Sequence, residues 1–212
     1  MHKYQHEFNR WFSDGGDRTH RVNYHLTGES VVLDAGGYHG DFAAEIYRRY
    51  GCQIHIFEPE PNFADIIEKR FYGNPKITLH RYGLSNKNGS AILDVKEDGT
   101  SVVDVVDGYV STNDNTVTLR DINEVVDELE LLDIDLFKIN IEGGEFPLME
   151  RCIEKGIVRR VNNFQIQYHN FAPDAEARRN EINKNLENTH LCQYNYTFVW
   201  EGWGLKNDID VR

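Results

Sequence analysis

The sequence of 212 residues is short of cysteine, of long apolar runs and of positive charge. Its three cysteines, Cys52, Cys152 and Cys192, are odd in number, lie far apart and have no CxxC spacing. This pattern argues against a disulfide framework and against a zinc site. No segment approaches the roughly 18 consecutive apolar residues that cross a bilayer, and the N-terminal residues lack the order of a signal peptide. We therefore expect a soluble, cytoplasmic protein with no membrane span.

The deficit of positive charge bears on the choice of partner. With 23 lysines and arginines against 35 aspartates and glutamates, the formal net charge is −12 at pH 7. Nucleic-acid binding relies on Lys and Arg contacts to phosphates, and no basic stripe is visible. The sequence therefore predicts a neutral acceptor and no nucleic acid, with a local basic patch formed by the fold as the alternative.

What the sequence does contain is an alternation of short β-rich apolar runs with helical patterns. This alternation predicts a single α/β domain over residues 1–212, with a mostly parallel sheet covered by helices on both faces. The predicted strands are 31–35, 53–57, 76–82, 134–140, 163–169 and 194–200. The predicted helices are 41–50, 61–72, 121–131, 144–155 and 173–189.

Two segments depart from this alternation. Residues 90–118 form an insertion that predicts one or two extra strands and a loop, with a turn around Asp98–Gly99, bordering the active site. In residues 1–28, aromatic side chains recur at helical spacing at Tyr4, Phe8, Trp11 and Phe12. They predict a helix packed on the sheet, and the alternative is a lid over the substrate.

The most informative stretch is the glycine-rich turn after the first predicted strand, at residues 31–40. Asp34 lies at the end of this strand, and Gly36, Gly37 and Gly40 follow before the next helix. Glycines allow the backbone to turn sharply and to pass close to a ligand, and a helix N-terminus points unpaired N–H groups at the same place. The GxGxxG pattern of dinucleotide-binding proteins is absent. The turn therefore predicts a different nucleotide-like cofactor.

Two carboxylates narrow the choice of cofactor. Asp34 at the strand end suits a ligand with cationic groups, whereas it would repel a pyrophosphate. Glu58, before Pro59 at the end of the second predicted strand, can accept both hydroxyls of a ribose. Together they predict S-adenosylmethionine, which carries an ammonium, a cationic sulfur and a free ribose. The alternatives are a helix N-cap for Asp34 and a solvated strand end for Glu58.

The adenine of this cofactor is predicted to lie after the third strand. Gly83, Leu84 and Ser85 stand there, and their backbone groups could read the base edge while Leu84 covers its face. A plain β-turn at Asn88–Gly89 explains much of the segment equally well. The adenine site is therefore a prediction from position alone.

Four segments of the chain resemble the FkbM family of S-adenosylmethionine-dependent methyltransferases. They are VVLDAGGYHGDF from residue 31, FEPEP from residue 57, GLSNKNG from residue 83 and, most specifically, FKINIEGGEFPLME at 137–150. The resemblance covers roughly residues 30–170. It implies the class I methyltransferase fold, a Rossmann-like three-layer α/β/α sandwich whose mostly parallel seven-stranded sheet has an antiparallel C-terminal strand. It also implies O-methylation of a hydroxyl on a sugar or natural product, often in glycan biosynthesis.

One residue departs from the signature of this family. Where the resemblance predicts the Asp of K-I-D, this chain has Asn140. In relatives that use a divalent metal, that carboxylate is the expected ligand, and a neutral amide is a poorer partner for a hard cation. We therefore expect no metal requirement.

The chemistry of methyl transfer to a hydroxyl requires alignment of the acceptor and removal of a proton. Ligands of an open α/β sheet bind beyond the carboxyl ends of the strands, so Asp34, Glu58, residues 140–142 and residues 167–169 should converge there. The candidate bases in this crevice are His169, Glu142, Lys138 and His39.

Among these candidates His169 is the first choice, because an ordinary pKa of about 6.5 lets it accept a proton without a large shift. Its alternative role is to hydrogen-bond sugar hydroxyls or backbone. Glu142 could accept the proton or fix the acceptor, or, together with Glu145, simply favour the start of a helix. Lys138 could serve only with a lowered pKa. Asn140 is predicted to orient the acceptor or the methionine end of the cofactor.

Aromatic residues supply a further prediction about the acceptor. Tyr38, beside His39 in the cofactor turn, could touch either ligand or lie on the surface. Four other aromatic rings could stack on the C–H faces of a sugar, although packing is their more usual role. They are Tyr168, Phe171, Trp200 and Trp203.

The leading hypothesis is an S-adenosylmethionine-dependent O-methyltransferase of a sugar hydroxyl, with a deoxyhexose such as rhamnose or fucose in a glycan as acceptor. The first alternative is a nicotinamide-dependent sugar oxidoreductase or epimerase, against which the missing GxGxxG and Y-x-x-x-K patterns argue. The second is a non-catalytic cofactor-binding module of a larger glycan-synthesis chain that contains a glycosyltransferase.

Overall fold

A computed structural model describes residues 3–96, 99–106 and 116–206, and of residues 94–96 and 99–106 it describes only the backbone. The helices are α1 (Gln5–Ser13), α2 (Asp41–Tyr50), α3 (Pro61–Arg70), α4 (Ile122–Glu128), α5 (Glu145–Glu154) and α6 (Ala175–Leu186), with a short 3-10 helix at Ile157–Arg160. The strands are β1 (Val31–Ala35), β2 (Gln53–Phe57), β3 (Ile77–His80), β4 (Gly83–Ser85), β5 (Gly89–Lys96), β6 (Gly99–Val106), β7 (Thr116–Asp121), β8 (Leu136–Ile139), β9 (Asn163–Ile166), β10 (His190–Tyr196) and β11 (Trp200–Leu205).

The main sheet has seven strands in the spatial order β10-β11-β9-β8-β1-β2-β3. Its neighbouring strands are parallel except around β11, which runs antiparallel to both β9 and β10. Side chains of α4, α5 and α6 share one apolar core with the sheet, and side chains of α2 and α3 share a second. The predicted three-layer α/β fold with an antiparallel C-terminal strand is therefore confirmed.

Local signals explain why the first βαβ unit forms where it does. The helix α2 turns Phe42, Ala43 and Ile46 into the core at helical spacing. It ends at Gly51, whose φ of 61° suits a glycine C-cap. The bounds of β1, α2 and β2 agree with the predicted ranges because periodicity and glycine positions act locally.

The prediction of a single strand over 194–200 is wrong. The chain turns back between β10 and β11, and Phe198 adopts a φ of 57° in this turn. Phe198 and Val199 are buried although they lie in a turn. Their burial gives the turn an apolar sequence that imitates a strand.

The insertion belongs to a second, smaller sheet in the order β4-β7-β5-β6. Here β5 pairs antiparallel with β6 and β7, and β4 pairs parallel with β7. Three strands of this sheet, β5, β6 and β7, overlap residues 90–118, where one or two are predicted. Residues 97–98, in the predicted turn, and residues 107–115 lie outside the described residues.

The N-terminal segment packs on the C-terminal hairpin. In α1, Trp11 is buried against Tyr196, Val199 and Trp200, whereas Phe12 is exposed. None of the helices in the described parts of the chain is long and apolar enough to cross a membrane.

Candidate active site

The glycine-rich turn lies between the ends of β1, β2 and β8. Gly36 has a φ of 82° and donates its N–H to the carbonyl of Phe57 over 3.0 Å. A Cβ at Gly36 would lie 1.9 Å from the carbonyl oxygen of Asn140, and one at Gly37 would lie 2.3 Å from Ile56. Only glycine fits at these two positions, because a side chain would separate the turn from the neighbouring strand ends. Gly40 then caps the start of α2.

A buried ion pair lies beneath this turn. Asp34 and Lys138 are neighbours in the β1–β8 register, and Lys138 Nζ lies 2.8 Å from Asp34 Oδ1. The same Nζ donates to the carbonyls of Gly36 over 2.6 Å and of Ala35 over 3.2 Å. With three acceptors around it, the ammonium has a proton for each and no lone pair to offer. This position does not favour Lys138 as a base and instead makes it a clamp between β8 and the turn.

The pairing also changes the interpretation of Asp34. One of its oxygens neutralises Lys138, so the carboxylate offers a cationic ligand little net charge. The other oxygen, Oδ2, is buried and has no hydrogen-bond partner in the described structure, and the same is true of Oδ1 of Asn140. Buried polar atoms normally have partners. These two acceptors therefore mark a place for a donor at the ends of β1 and β8.

Glu58 follows β2 and is buried beside the turn. Its Oε2 accepts the N–H of Tyr38 over 2.8 Å, and its Oε1 accepts the N–H of Glu60 over 2.9 Å. Burial raises the pKa of Glu58 to about 7, although these two hydrogen bonds act in the opposite direction. Each oxygen retains capacity for another hydrogen bond.

Tyr38 has a φ of 50° and a partly exposed ring. The ring stacks on His39 at a centroid distance of 3.8 Å and meets the edge of Phe63 at 4.6 Å. Left-handed backbone is uncommon for such a residue and is found where the surroundings enforce it. Here it directs the Tyr38 N–H to Glu58, so the turn and the carboxylate form one unit.

The segment predicted to bind adenine forms β4. Gly83 packs close to Pro59, and the backbone of Gly83, Leu84 and Ser85 pairs with β7. The Leu84 side chain is buried in the main core. This burial gives Leu84 a packing role instead of a surface that covers a ligand. An adenine site at this segment stays a prediction that rests on backbone position.

The loop after β8 carries a strained residue and a buried carboxylate. Glu142 has a φ of 52°, and Gly143 has a φ of 107°. Glu145, the first residue of α5, is fully buried and accepts the N–H groups of Ile141 over 3.0 Å and of Gly143 over 2.9 Å. Glu145 therefore holds the loop in shape from within.

His169 reaches the same loop from the end of β9. Its Nδ1 lies 2.9 Å from Glu145 Oε1, and its Nε2 lies 3.7 Å from Glu142 Oε1. Burial lowers the pKa of His169, but the hydrogen bond with Glu145 and the charges of Glu145 and Glu142 outweigh it and leave the pKa above 6.5. The two elements thus bring together an imidazole and two carboxylates that lie 24 and 27 residues away in sequence.

Of the four aromatic residues considered for the acceptor, three are buried. Tyr168, Trp200 and Trp203 belong to the cores, whereas Phe171 is 62% exposed. The Phe171 ring stacks on His169 at a centroid distance of 5.0 Å. Phe171 is therefore the member of this set that a ligand at the site could contact.

Sequence reasoning missed two groups near the site and underrated a third. The sequence pattern predicts only a helix-start role for Glu145. Gln165 is fully buried next to Lys138 in the β8–β9 register and donates to the carbonyl of Arg21 over 3.0 Å. The Arg21 guanidinium lies over Trp200 at 4.6 Å. A glutamine inside an apolar strand is the signal that could have indicated these buried polar contacts.

Within the described ranges, no three His, Cys, Asp or Glu side chains form a group that could hold a metal ion. His169 contacts Glu145 and Glu142 through the hydrogen bond and the ion pair described above.

Solved structures with a similar fold are methyltransferases by description. A Clostridium thermocellum protein described as an rRNA methylase has 9% identity and a TM-score of 0.55, over 92% of this chain and 96% of that chain. An rRNA methylase from Streptococcus thermophilus has 13% identity and a TM-score of 0.50, over 86% and 90%. At these identities the likeness establishes the fold alone. No match was found among curated proteins.

The chain also matches the model of a protein family. The model, described as the methyltransferase FkbM domain, matches residues 34–198, which is more than half of the chain. The match begins at Asp34 and includes the glycine turn, Glu58 and the loop that carries Glu142 and Glu145. Membership of a methyltransferase family supports S-adenosylmethionine as the methyl donor and leaves the nicotinamide-dependent alternative without support. The chain belongs to the FkbM family of methyltransferases.

Proposed function

We propose that the protein is an S-adenosylmethionine-dependent O-methyltransferase that acts on a sugar hydroxyl, with a deoxyhexose such as rhamnose or fucose as acceptor. The observation that carries the proposal is the His169 imidazole, which lies 2.9 Å from Glu145 and 3.7 Å from Glu142 beyond the end of β9. Such a group suits the removal of a proton from a hydroxyl.

The residues of the turn fit the proposed methyl donor. The unpartnered acceptors Asp34 Oδ2 and Asn140 Oδ1 match the N–H donors of a methionine ammonium. Glu58, with spare acceptor capacity on both oxygens, matches the two ribose hydroxyls. The absence of side chains at Gly36 and Gly37 lets the turn pack against neighbouring strand ends, which keeps it beside these acceptors.

The proposed chemistry divides between two side chains. Bound S-adenosylmethionine supplies a methyl group on a cationic sulfur. An alcohol has a pKa of about 15, close to that of water, so its oxygen must lose a proton as it gains the methyl group. His169 accepts this proton at Nε2, and the carboxylates of Glu145 and Glu142 stabilise the resulting imidazolium. Glu142 also orients the hydroxyl.

Asn140 supports a reaction without a required metal. Its neutral amide stands where the family signature has an Asp, and hard divalent cations prefer carboxylate oxygens. In this proposal Asn140 orients the methionine end of the donor through Oδ1. Activity in the presence of EDTA is the expected result.

A neutral acceptor is supported by the charge of the chain. The net charge of −12 opposes a polyanion, and the exposed Phe171 ring beside His169 suits the C–H face of a sugar. The similar structures described as rRNA methylases share the fold at 9% to 13% identity, and identity this low gives no information about the substrate of this chain. We therefore propose a sugar and no nucleic acid as partner.

The first test is calorimetric titration with S-adenosylhomocysteine, with NAD as the comparison ligand and EDTA throughout. Saturable binding of S-adenosylhomocysteine alone is expected. Glu58→Ala should abolish it, whereas Glu68→Ala, a matched change at an exposed carboxylate of α3, should not. Binding of NAD alone would contradict the proposal.

The second test measures the formation of S-adenosylhomocysteine with methyl glycosides of rhamnose and fucose, and with ribosomal RNA in parallel. Turnover with a glycoside supports the proposal. Turnover with RNA alone would refute the acceptor class, and binding without turnover on any substrate would favour a non-catalytic module.

A further inference from the structure

The carboxylate of Glu145 makes contacts that a helix start alone does not explain. The side chain has no exposed surface and receives donors from two directions. From the loop, Ile141 donates its N–H to Oε1 and Gly143 donates its N–H to Oε2. From β9, the Nδ1 of His169 lies 2.9 Å from Oε1. One buried group therefore connects the loop after β8 with the imidazole after β9.

These contacts determine which nitrogen of the imidazole carries a proton. Both oxygens of Glu145 accept backbone N–H groups, an arrangement that suits an ionised carboxylate, which can only accept. The atom that faces it, Nδ1 of His169, must then be a donor. In a neutral imidazole the other nitrogen, Nε2, is left with the lone pair.

The free nitrogen points to the place where a proton acceptor is useful. Nε2 lies 3.7 Å from Glu142 Oε1, at the strained residue of the loop that Glu145 holds. Phe171 stacks on the imidazole at 5.0 Å and restricts its rotation. The charged groups that face His169 are Glu145 from α5 and Glu142 from the loop.

We propose that Glu145 is the positioning residue of the site. Its carboxylate fixes His169 as the Nδ1–H tautomer and keeps Nε2, the proton acceptor, beside Glu142. This inference rests on the proposed function, because the orientation matters only if His169 removes a proton. Glu145 itself touches neither the acceptor nor the methyl donor in this arrangement. It also couples the orientation of His169 to the shape of the loop at residues 141–143.

The test is nitrogen-15 NMR of the histidine rings in the full chain, with the His169→Gln variant used to assign the signal. In the unmodified protein we expect the neutral ring of His169 as the Nδ1–H tautomer. In Glu145→Gln we expect loss of this preference and a shift of the titration midpoint to lower pH, because the amide has no charge. Glu154→Gln, a matched change at an exposed carboxylate of the same helix, should leave both unchanged.

The outcomes separate this inference from the proposed function. An Nε2–H tautomer in the unmodified protein, or an unaltered midpoint in Glu145→Gln, would overturn the role of Glu145 even if sugars are methylated. If Glu145→Gln does not fold, the tautomer of the unmodified protein still decides. With an active acceptor, Glu145→Gln should lower kcat at least roughly tenfold and leave the affinity for S-adenosylhomocysteine unchanged. By contrast, if the protein methylates no hydroxyl, the proposed function is wrong. The NMR result on the tautomer of His169 would still hold.

Discussion

Protonation of Glu58 should set the pH range in which the protein binds its cofactor. Burial raises the pKa of Glu58 from 4.5 to about 7. The folded protein therefore holds this proton at pH values where the unfolded chain has lost it. The contribution of Glu58 to stability is fully present below about pH 4.5 and is lost as the pH rises through about 7.

Cofactor binding should depend on pH in the opposite sense. In the proposed function ribose hydroxyls donate to Glu58, which favours its ionised form, so binding should remove the proton. With a pKa of about 7, roughly nine tenths of Glu58 is ionised at pH 8 and roughly one tenth at pH 6. The affinity for S-adenosylhomocysteine should therefore fall about tenfold between pH 8 and pH 6, and about tenfold again by pH 5.

The assay is calorimetric titration at several pH values, each in two buffers of different ionisation enthalpy, so that proton release is measured directly. Glu58→Gln should bind weakly and lose this pH dependence, and Glu68→Gln should retain it. His169→Ala should also retain it, which separates Glu58 from His169, whose pKa is raised above its ordinary value by Glu145 and Glu142. Equal affinity at pH 6 and pH 8 in the unmodified protein would refute the reasoning.

Three further predictions concern the turn, the base and the acceptor. Gly36→Ala should destabilise the fold by more than about 2 kcal/mol because it adds a backbone clash to left-handed strain. Gly73 has a φ of 76° and open space around it, so Gly73→Ala should cost only about 1 kcal/mol. Urea unfolding measures both costs, and equal values would contradict the clash at Gly36. His169→Ala should lower turnover at least a hundredfold and leave cofactor affinity nearly unchanged; steady-state kinetics with calorimetry check this, and full activity would transfer the role of base to Glu142. Phe171→Ala should raise KM for a sugar several-fold, since such a contact is worth about 1 kcal/mol, while Phe12→Ala, an exposed ring on α1, should not; an unchanged KM in both would exclude Phe171 from the acceptor site.

The sequence by itself determined the elements whose signals are local. The bounds of β1 and α2 follow from the apolar run at 31–35, the helical spacing of Phe42 and Ile46, and the glycine at 51. The family motifs likewise indicated a methyltransferase, because the glycine turn and the FKINIEGGE segment can be recognised in the sequence alone.

Elements without a local signal were harder to predict. The turn at residues 197–199 is apolar because Phe198 and Val199 are buried by other parts of the chain. A sequence pattern records burial and cannot tell a buried turn from a buried strand. The parallel pairing of β4 with β7 joins segments more than thirty residues apart, and their register depends on how the smaller sheet assembles.

Only the tertiary structure decided how the charged residues of the site are paired. From sequence, Asp34 is expected to face a cation of the cofactor; the structure pairs one of its oxygens with Lys138, 104 residues away, through the β1–β8 register and leaves the other without a partner in the described structure. The sequence predicts only a helix-start role for Glu145, whereas in the structure its carboxylate contacts His169 beyond the end of β9. Residue type and spacing predict which groups gather at the carboxyl ends of the strands, whereas strand register and burial determine which of them pair with one another and which remain available to a ligand.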